Sequence, residues 1–388
     1  MNLRDYKTVL ERRKALEKEA GVVLPNIGSF TLDEAVASSR NCENMIGAAQ
    51  IPIGIAGPLT IKNLKLKIKN CFIPLATTEG ALVASVNRGC KAITASGGAT
   101  VDSYRVGATR GPVFRVNNLA ESNRLNTFLE KHFDELKTIA EKTSKHLTLT
   151  RFMSRGVGRY RFVRFVFDTQ DAMGLNMVTI ATNAMVAYIK QKTNVACIAL
   201  SGNYCVDKKA SWLNAIEGRG TKVWAEVTLP TSVIQGVLKT TAKNIYDTWL
   251  AKCMMGSAMS GSMGFNAQYA NVVAALFMAT GQDPAHVVEG SMGITTAEVM
   301  GEDLYMSVYV PDLMVGTVGG GTGLATQKEA LELLGVAGTS PAGENGKNSQ
   351  QFAEIVGAAV LAGEISLLAS LATNTLACAH ETLARGKR

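Results

Sequence analysis

The spacing of apolar and polar positions changes period several times along the chain, and each change marks an element. Residues 3–20 carry Leu3, Tyr6, Leu10 and Leu16 among dense charges, which predicts an amphipathic surface helix. IPIGIAGPL (51–59) is punctuated by Gly and Pro and suits loops and short strands. The pattern is richest from residue 112 onward. PVFRV (112–116) reads as a strand, and residues 119–143 place Leu119, Leu125, Phe128, Leu129, Phe133, Leu136 and Ile139 mostly at helical spacing. LTLTRFM (147–153) and YRFVRFVF (160–167) read as strands separated by the turn-prone SRGVG. AMGLNMVTIATNAMVAYIKQK (172–192) reads as a helix and VACIALS (195–201) as a strand. This β-α-β-β-α-β order is the ferredoxin-like signature and predicts a small domain inserted into a larger one. The second half reads as mostly helical, and ANVVAALFMAT (270–280), apolar nearly all round, predicts a buried core helix.

The length of 388 residues corresponds to two or three domains at roughly 150 residues each. With 47% apolar and 19% charged residues the chain is globular and not disordered. The 40 basic residues outnumber the 32 acidic ones, a net charge of +8. Such a balance attracts polyanions, whether nucleic acid, anionic membrane or a phosphate-bearing cofactor, without choosing between them. The seven cysteines are scattered and include no C-x-x-C pair, which argues against a disulfide framework or a zinc site and for a reducing, cytoplasmic compartment. No metal is expected. Ten of the first twenty residues are charged and no apolar stretch follows, so no secretory signal is expected. The Ala/Leu-rich stretch from Val356 to Ala379 is interrupted by Glu364, Ser366, Ser370, Thr373, Asn374 and Thr375, which predicts a packed helix in place of a membrane span.

Several short motifs could carry chemistry, and each also has a plain structural explanation. GTVGGGTG (316–323) precedes a helical stretch, so its backbone N–H groups could converge on an anion at a helix N-terminus; equally, its glycines could let two backbones cross. No G-x-G-x-x-G and no Walker A loop is present. DAMGLNM (171–177) is either a cofactor contact or a capped helix start with methionines facing the core. In GNYCVDKK (202–209), Asp207, Lys208 and Lys209 are either a solvated loop or a cation placed against developing carbonyl-oxygen charge. Glu79 in TTEG suits the first turn of a helix, and Asp283 in GQDP suits an N-cap with Pro284 at the first helical position. The chain has four histidines, His132, His146, His286 and His380, so any histidine acid is one of them. Arg151, Arg155, Arg159, Arg161 and Arg164 lie on a predicted hairpin with interleaved Phe152, Tyr160 and Phe162, a pattern open to RNA binding as well as to a solvated face.

Taken in order, ENMIGAAQIPIGIAGPL (43–59), ATTEGALVASVNRGCKAI (76–93), DAMGLNM, SGNYCVDKKA (201–210), IEGRG (216–220), GSAMSGSMGFNAQYAN (256–271), GQD, GTVGGGT, LAGEISLLASLA (361–372) and the final His resemble the catalytic domain of hydroxymethylglutaryl-CoA (HMG-CoA) reductases over residues 41–380. The GNYCVDKK form resembles the class I branch, which uses NADPH. The resemblance implies an α+β architecture: an N-terminal helical segment (1–42), a large CoA-binding domain in two parts (43–111 and 201–388), and an inserted ferredoxin-like cofactor domain (112–200). It implies reduction of HMG-CoA to mevalonate and CoA in two hydride transfers, in a homo-oligomer (dimer or tetramer) whose active site lies at a subunit interface, without nucleic acid or membrane. A reductase of the same fold preferring NADH or another acyl-CoA is the alternative within this architecture.

The same resemblance assigns residues. Lys208 matches the lysine that holds negative charge on the carbonyl oxygen, Glu79 the glutamate that protonates that oxygen in the second reduction, and Asp283 the aspartate coupled to both. His380 matches the acid that protonates the departing CoA thiolate, a downhill transfer because a thiol has pKa ~8.5 and an imidazolium ~6.5. Ser85, Asn87, Arg88, Arg110, Ser201, Asp207, Lys209, Lys252, Ser262 and Asn271 match positions of the acyl-CoA site. Asp171, Met173, Gly174, Asn176, Met177, Val318, Gly319, Gly320, Gly321 and Thr322 match the nicotinamide cofactor site. Ser144 and Lys145 match the pair that meets the cofactor 2′-phosphate, where Arg is usual at the second position; Lys keeps the charge but loses the planar fork.

Overall fold

A computed structural model describes residues 2–62 and 71–373. His380 and the end of the predicted 356–379 helix lie outside these residues. The architecture is mixed α+β, as expected. Strands β1 (Ile53–Leu59) and β2 (Cys71–Ala76) pair antiparallel with each other. The remaining strands are β3 (Thr100–Arg110), β4 (Val113–Arg115), β5 (Thr148–Val157), β6 (Tyr160–Asp168), β7 (Ala196–Ala199), β8 (Arg219–Leu229), β9 (Ile294–Met300) and β10 (Asp303–Leu313). They form one sheet in the order β7-β4-β6-β3-β8-β10-β9, with β5 pairing β6.

Within that sheet, β4, β5, β6 and β7 stand in the spatial order β7-β4-β6-β5, every neighbouring pair antiparallel. With the helices Leu119–Lys131, Phe133–Glu141 and Leu175–Thr193 they complete a β-α-β-β-α-β unit whose core includes Phe114, Leu129, Leu149, Phe165, Phe167 and Met185. A second, larger core lies over β8 and β10. There the helix Lys347–Ala372 packs across β8, β10 and β3 and against the helix Leu82–Ala95. Strand β3 joins the two regions, pairing with β8 through Thr100–Gly107 and with β6 through Ala108–Arg110.

The structure adjusts several sequence expectations. The first helix starts at Val9, because Thr8 and Glu11 form a reciprocal capping box, and Leu3–Asp5 is a separate short turn. The helix expected over 119–143 breaks at His132. The hairpin turn sits at Gly158–Arg159, so SRGV belongs to β5. The half read as mostly helical contributes β8, β9 and β10. Their alternation is legible in hindsight: along RGTKVWAEVTL every odd position from Arg219 to Leu229 is buried. Tyr269–Thr280 is the buried core helix expected. The helix Lys347–Ala372 is long and apolar enough to cross a membrane, but it is buried along most of its length within the large core. The arginine hairpin is not a uniformly basic face. Arg164 and Arg161 are buried, and Arg164 Nη2 donates to Asn214 Oδ1 and the Gly218 carbonyl.

Candidate active site

Lys208 sits in a loop whose backbone is bent at three non-glycine residues: Asn203 (φ 64°), Val206 (φ 50°) and Lys208 itself (φ 57°). A β-branched residue in this region is strained, and such strain persists where surrounding contacts over-determine it. Here they do. The Lys208 N–H donates to Glu289 Oε1 (3.1 Å), and the Val206 carbonyl accepts from Asn214 Nδ2 (3.1 Å). The Lys208 ammonium lies 2.7 Å from Asp283 Oδ2, both side chains a little over one-third exposed. Asp283 is the N-cap expected: its Oδ1 accepts from the Ala285 N–H (3.0 Å), and Pro284 opens the turn. Partial burial pushes the Asp283 carboxyl up, but the Lys208 and Ala285 hydrogen bonds and the charge of His286 outweigh it, and the group ends below the ordinary aspartate range.

Beneath this pair lies a buried web of charges. Arg219 is completely buried; its Nη1 donates to Glu289 Oε1 (2.7 Å), its Nη2 to Asp207 Oδ1 (2.8 Å) and its Nε to Thr109 Oγ1 (2.8 Å). His286, also fully buried, lies with Nδ1 2.6 Å from Glu289 Oε1. Arg110 Nη1 stands 3.9 Å from Asp207 Oδ2. Asn214 bridges to Asp312 Oδ2 (2.6 Å), and burial pushes the Asp312 carboxyl well above its ordinary range. Asp207, His286 and Glu289 offer ligand atoms within 4.8 Å of one another, the spacing of a metal site. Arg219, however, already bridges the two carboxylates and supplies the positive charge they require.

Glu79 belongs to a different part of the molecule. It is exposed, in the turn before the helix Leu82–Ala95 and outside that helix's first turn. Its Oε1 accepts from Asn271 Nδ2 (3.4 Å), and its N–H donates to Thr77 Oγ1 (2.9 Å). Among the described residues no hydrogen bond or ion pair joins Glu79 to Lys208 or Asp283, so the three-group network expected is, within one chain, a Lys208–Asp283 pair and a separate glutamate. Glu79, Ser85, Lys252, Ser262, Asn266 and Asn271 line a cleft of about 850 Å³, whose wall also includes Ala210, two residues beyond Lys208. Ser262 Oγ is turned onto Gly264, donating to its carbonyl (2.8 Å). Ser85 and Arg88 both reach Ser366 of the long helix, at 3.1 and 3.0 Å, and Asn87 accepts from the Gly57 N–H (2.9 Å). Ser201 contacts Cys205 Sγ (3.4 Å), and Lys209 is exposed.

The positions matched to a cofactor converge from three segments. Ser144 Oγ approaches Met177 Sδ (3.6 Å), and Ala172 pairs with Val318. Lys145 and Asn176 are exposed, Met173 packs against the small core, and Gly174 (φ 79°) caps the following helix. Asp171 does not cap it. Its Oδ1 accepts from Ser340 Oγ (2.8 Å) and the Ser349 N–H (3.1 Å), and its Oδ2 from the Ser340 N–H (2.7 Å), so this carboxylate ties the loop at Ser340 to the first turn of the helix Lys347–Ala372. The glycine run divides in two. A Cβ at Gly316 would lie 2.5 Å from Met173 N, which makes that glycine a backbone crossing. Gly319 (φ 79°) and Gly320 (φ 55°) face open space, and Thr322 Oγ1 donates to the Gly319 carbonyl (2.7 Å). The crossing reading thus holds at Gly316 and again at Gly321, where an added Cβ would lie 2.6 Å from the Gly281 carbonyl oxygen, while Gly319 and Gly320 leave their backbone open.

Sequence reasoning missed Arg219, Glu289, Asn214 and Asp312, and left His286 without a role. Part of the signal was present: Asp283, His286 and Glu289 recur every three residues, which places them on one side of a helical turn.

Residues 8–385 match the family described as hydroxymethylglutaryl-coenzyme A reductase. The 3-hydroxy-3-methylglutaryl-coenzyme A reductase of Methanocaldococcus jannaschii is 49% identical over 380 residues, covering 96% of this chain and 92% of that one. That of Methanothermobacter thermautotrophicus is 48% identical over 376 residues, covering 97% and 93%. Among solved structures, the class II reductase of Streptococcus pneumoniae bound to NADPH superposes with a TM-score of 0.68 at 18% identity, covering 94% of this chain and 97% of that one, a likeness of fold alone. These matches span nearly the whole chain, and the chain belongs to the hydroxymethylglutaryl-coenzyme A reductase family.

Proposed function

We propose that this chain reduces HMG-CoA to mevalonate and CoA in two successive hydride transfers, with NADPH as the donor. The observation that carries this reading is the Lys208–Asp283 pair, 2.7 Å apart on a buried charged floor and beside a cleft large enough for an acyl chain. NADPH, when bound, supplies the hydride. Ser144 and Lys145 would hold its 2′-phosphate, and the open backbone of Gly319 and Gly320 would receive its pyrophosphate, with Gly321 packed beside them against Gly281. Met173, Gly174, Asn176, Met177, Val318 and Thr322 complete that side, with Asp171 holding the adjoining loop.

Each hydride arriving at a carbonyl carbon leaves negative charge on oxygen, and the Lys208 ammonium is positioned to hold it. Asp283 keeps that ammonium in place from one side while the Glu289 carboxylate fixes its backbone from the other. The first reduction gives a hemithioacetal whose C–S bond breaks to release an aldehyde and a thiolate, and His380 gives its proton to that sulfur. Glu79 protonates the aldehyde oxygen in the second reduction. Within one chain Lys208 remains partly exposed, so we assign the missing cover to substrate and to a second protomer of a homo-oligomer. We also place the chain in the class I branch, on its GNYCVDKK segment. We divide the domains at residues 42, 111 and 200, a reading supported by the small core, which draws mostly on residues 114–195. The six described cysteines are free, in keeping with work in the cytoplasm.

The test is a paired assay of NADPH and NADH oxidation with HMG-CoA and with other acyl-CoA thioesters. Turnover restricted to HMG-CoA, with NADPH preferred, is expected. No turnover with HMG-CoA overturns the proposal, and a preference for NADH overturns the cofactor assignment alone.

A further inference from the structure

His286 is the one fully buried histidine among the described residues, and its two ring nitrogens face different groups. Nδ1 is 2.6 Å from Glu289 Oε1. Nε2 has no hydrogen-bond partner; it points into the gap between Asp283 Oδ2 (3.8 Å) and Asp207 Oδ1 (4.0 Å). A buried polar nitrogen is costly to leave unpaired, so one aimed between two carboxylates marks a contact that shortens with a small movement of either. The surroundings leave the ring little freedom. Asp207 faces it from the loop, and Asp283, which carries the Lys208 ammonium, and Glu289 face it from its own turn. Arg219 approaches from β8, and Asp312 from β10 bears on the same web, while Arg110 of β3 reaches Asp207 and Arg164 of β6 reaches Asn214. Glu289 holds three of these parts at once: its Oε1 meets the imidazole, Arg219 and the Lys208 N–H.

We propose that His286 is a positioning residue for the reduction: held by Glu289 through Nδ1, it presents Nε2 to Asp283 and keeps that carboxylate directed at the Lys208 ammonium. The proposal rests on the assignment of Lys208 and Asp283 as the catalytic pair. It separates the two ring nitrogens by function. Nδ1 anchors the ring, and Nε2 does the positioning.

Two substitutions exploit that division. In His286→Gln the side-chain amide nitrogen lies near the position of Nε2, and in His286→Asn near that of Nδ1. Steady-state turnover of HMG-CoA and NADPH by the full chain, from about pH 5 to about pH 9, is the readout. His286→Asn is expected to lower kcat about 10- to 100-fold, the scale of a misplaced catalytic group. KM for the acyl-CoA should change little, and the acid limb of the kcat profile should move to higher pH, because Asp283 loses a neighbouring positive charge. His286→Gln should recover most of kcat. A residue that merely fills the core and satisfies Glu289 would rank the variants the other way. Equal losses in both, or a profile lowered uniformly without movement of its acid limb, would overturn the proposal.

Should neither variant fold, the ring can be read in place. Asp283→Asn in protein labelled with ¹⁵N-histidine should shift the His286 Nε2 resonance and leave Nδ1 nearly unmoved, with single Gln substitutions at His132, His146 and His380 identifying the other signals. An unmoved Nε2 overturns the proposal. Absence of wild-type turnover overturns instead the functional assignment on which it rests.

Discussion

The two polar regions that flank loop 201–210 are built in opposite ways. On one side Arg219, His286 and Glu289 are completely buried and cross-linked, and the backbone above them is held at positive φ at Val206 and Lys208. On the other side Glu79 and Lys252 are exposed along an open cleft, and among the described residues the Glu79 side chain makes one hydrogen bond, accepted at 3.4 Å from Asn271. Charge that develops in a transition state is best met by groups already in place, since reorganising them during the reaction would add to the barrier. Groups that grip a substrate can be ordered by the substrate itself, at a cost taken from binding. The rigid side is thus where charge stabilisation is expected to be most sensitive, and the open side where substrate binding is, together with the later proton transfer assigned to Glu79.

The largest effect should come from Lys208→Ala. Removing the ammonium should lower kcat on the order of 10³-fold, comparable to loss of a preorganised oxyanion donor. Because the side chain is more than one-third exposed, thermal unfolding should barely move. A variant that keeps a tenth of wild-type turnover would show that charge stabilisation lies elsewhere. Arg219→Leu should do the reverse, acting first on the fold. It leaves Glu289 and Asp207 without their shared cation, and breaking a buried pair costs about 3–5 kcal/mol. Denaturant unfolding measures this, and a loss below about 1 kcal/mol would mean that the web relaxes freely.

The cleft should answer differently. Asn271→Ala removes one long hydrogen bond from an exposed carboxylate, so its stability change should stay within about 0.5 kcal/mol. Because Asn271 also matches a position of the acyl-CoA site, KM for HMG-CoA should rise about 10-fold, as for a lost bond to a charged group, and kcat should fall less, through the loosened Glu79. If kcat falls instead and KM holds, the division between a chemical side and a binding side is wrong.

The contrast also explains what the sequence could convey. The ferredoxin-like strand order was legible because β5, β6 and the helix Leu175–Thr193 each carry their own period over nine or more residues, from Leu149 and Phe165 to Met185. Asp283 was legible as a cap because capping is local, and Lys208 because GNYCVDKK is a distinctive string. The web was not legible. Arg219 meets Thr109 across 110 positions of sequence and Glu289 across 70, and no local pattern encodes such pairings. Nor could sequence divide the glycines of GTVGGGTG, since only the approach of Met173 to Gly316 sets that one apart from Gly319. The separation of Glu79 from Lys208 within one chain is a matter of tertiary placement, which no local motif carries.

Acidity gives a finer test of the rigid side. Asp283 titrates below its ordinary range in the fold, so it binds fewer protons folded than unfolded near pH 4. Its stabilising contribution is therefore complete above the unfolded value of about 3.9 and disappears as pH falls through the folded one. Glu364 has the opposite sign. Burial pushes its carboxyl up despite hydrogen bonds from Thr295 Oγ1 and the Ala267 and Gln268 N–H groups, so it costs stability as pH rises above about 4.5. The stability gap between wild type and Asp283→Asn should close on acidification, and that between wild type and Glu364→Gln should widen. The first change should be modest, since solvent screens a pair this exposed. Unfolding curves at matched pH values would refute the assignment if both gaps moved the same way.

The smallest effect concerns the glycine run, which contains both building styles within four residues. Gly319 faces open space at φ 79° and ψ 166°, so Gly319→Ala meets no neighbour and bears only the penalty of a backbone conformation that glycine almost alone adopts, on the order of 1–3 kcal/mol. An added methyl on the cofactor-facing side should raise KM for NADPH several-fold while leaving KM for HMG-CoA unchanged. At Gly316, by contrast, the same methyl would sit 2.5 Å from the Met173 backbone nitrogen and force the two chains apart. That variant serves as the control, because it must disturb the fold whether or not a pyrophosphate binds nearby. If Gly319→Ala raises both KM values together, the open half of the loop is not a cofactor cradle, and its positive φ angles serve the turn alone.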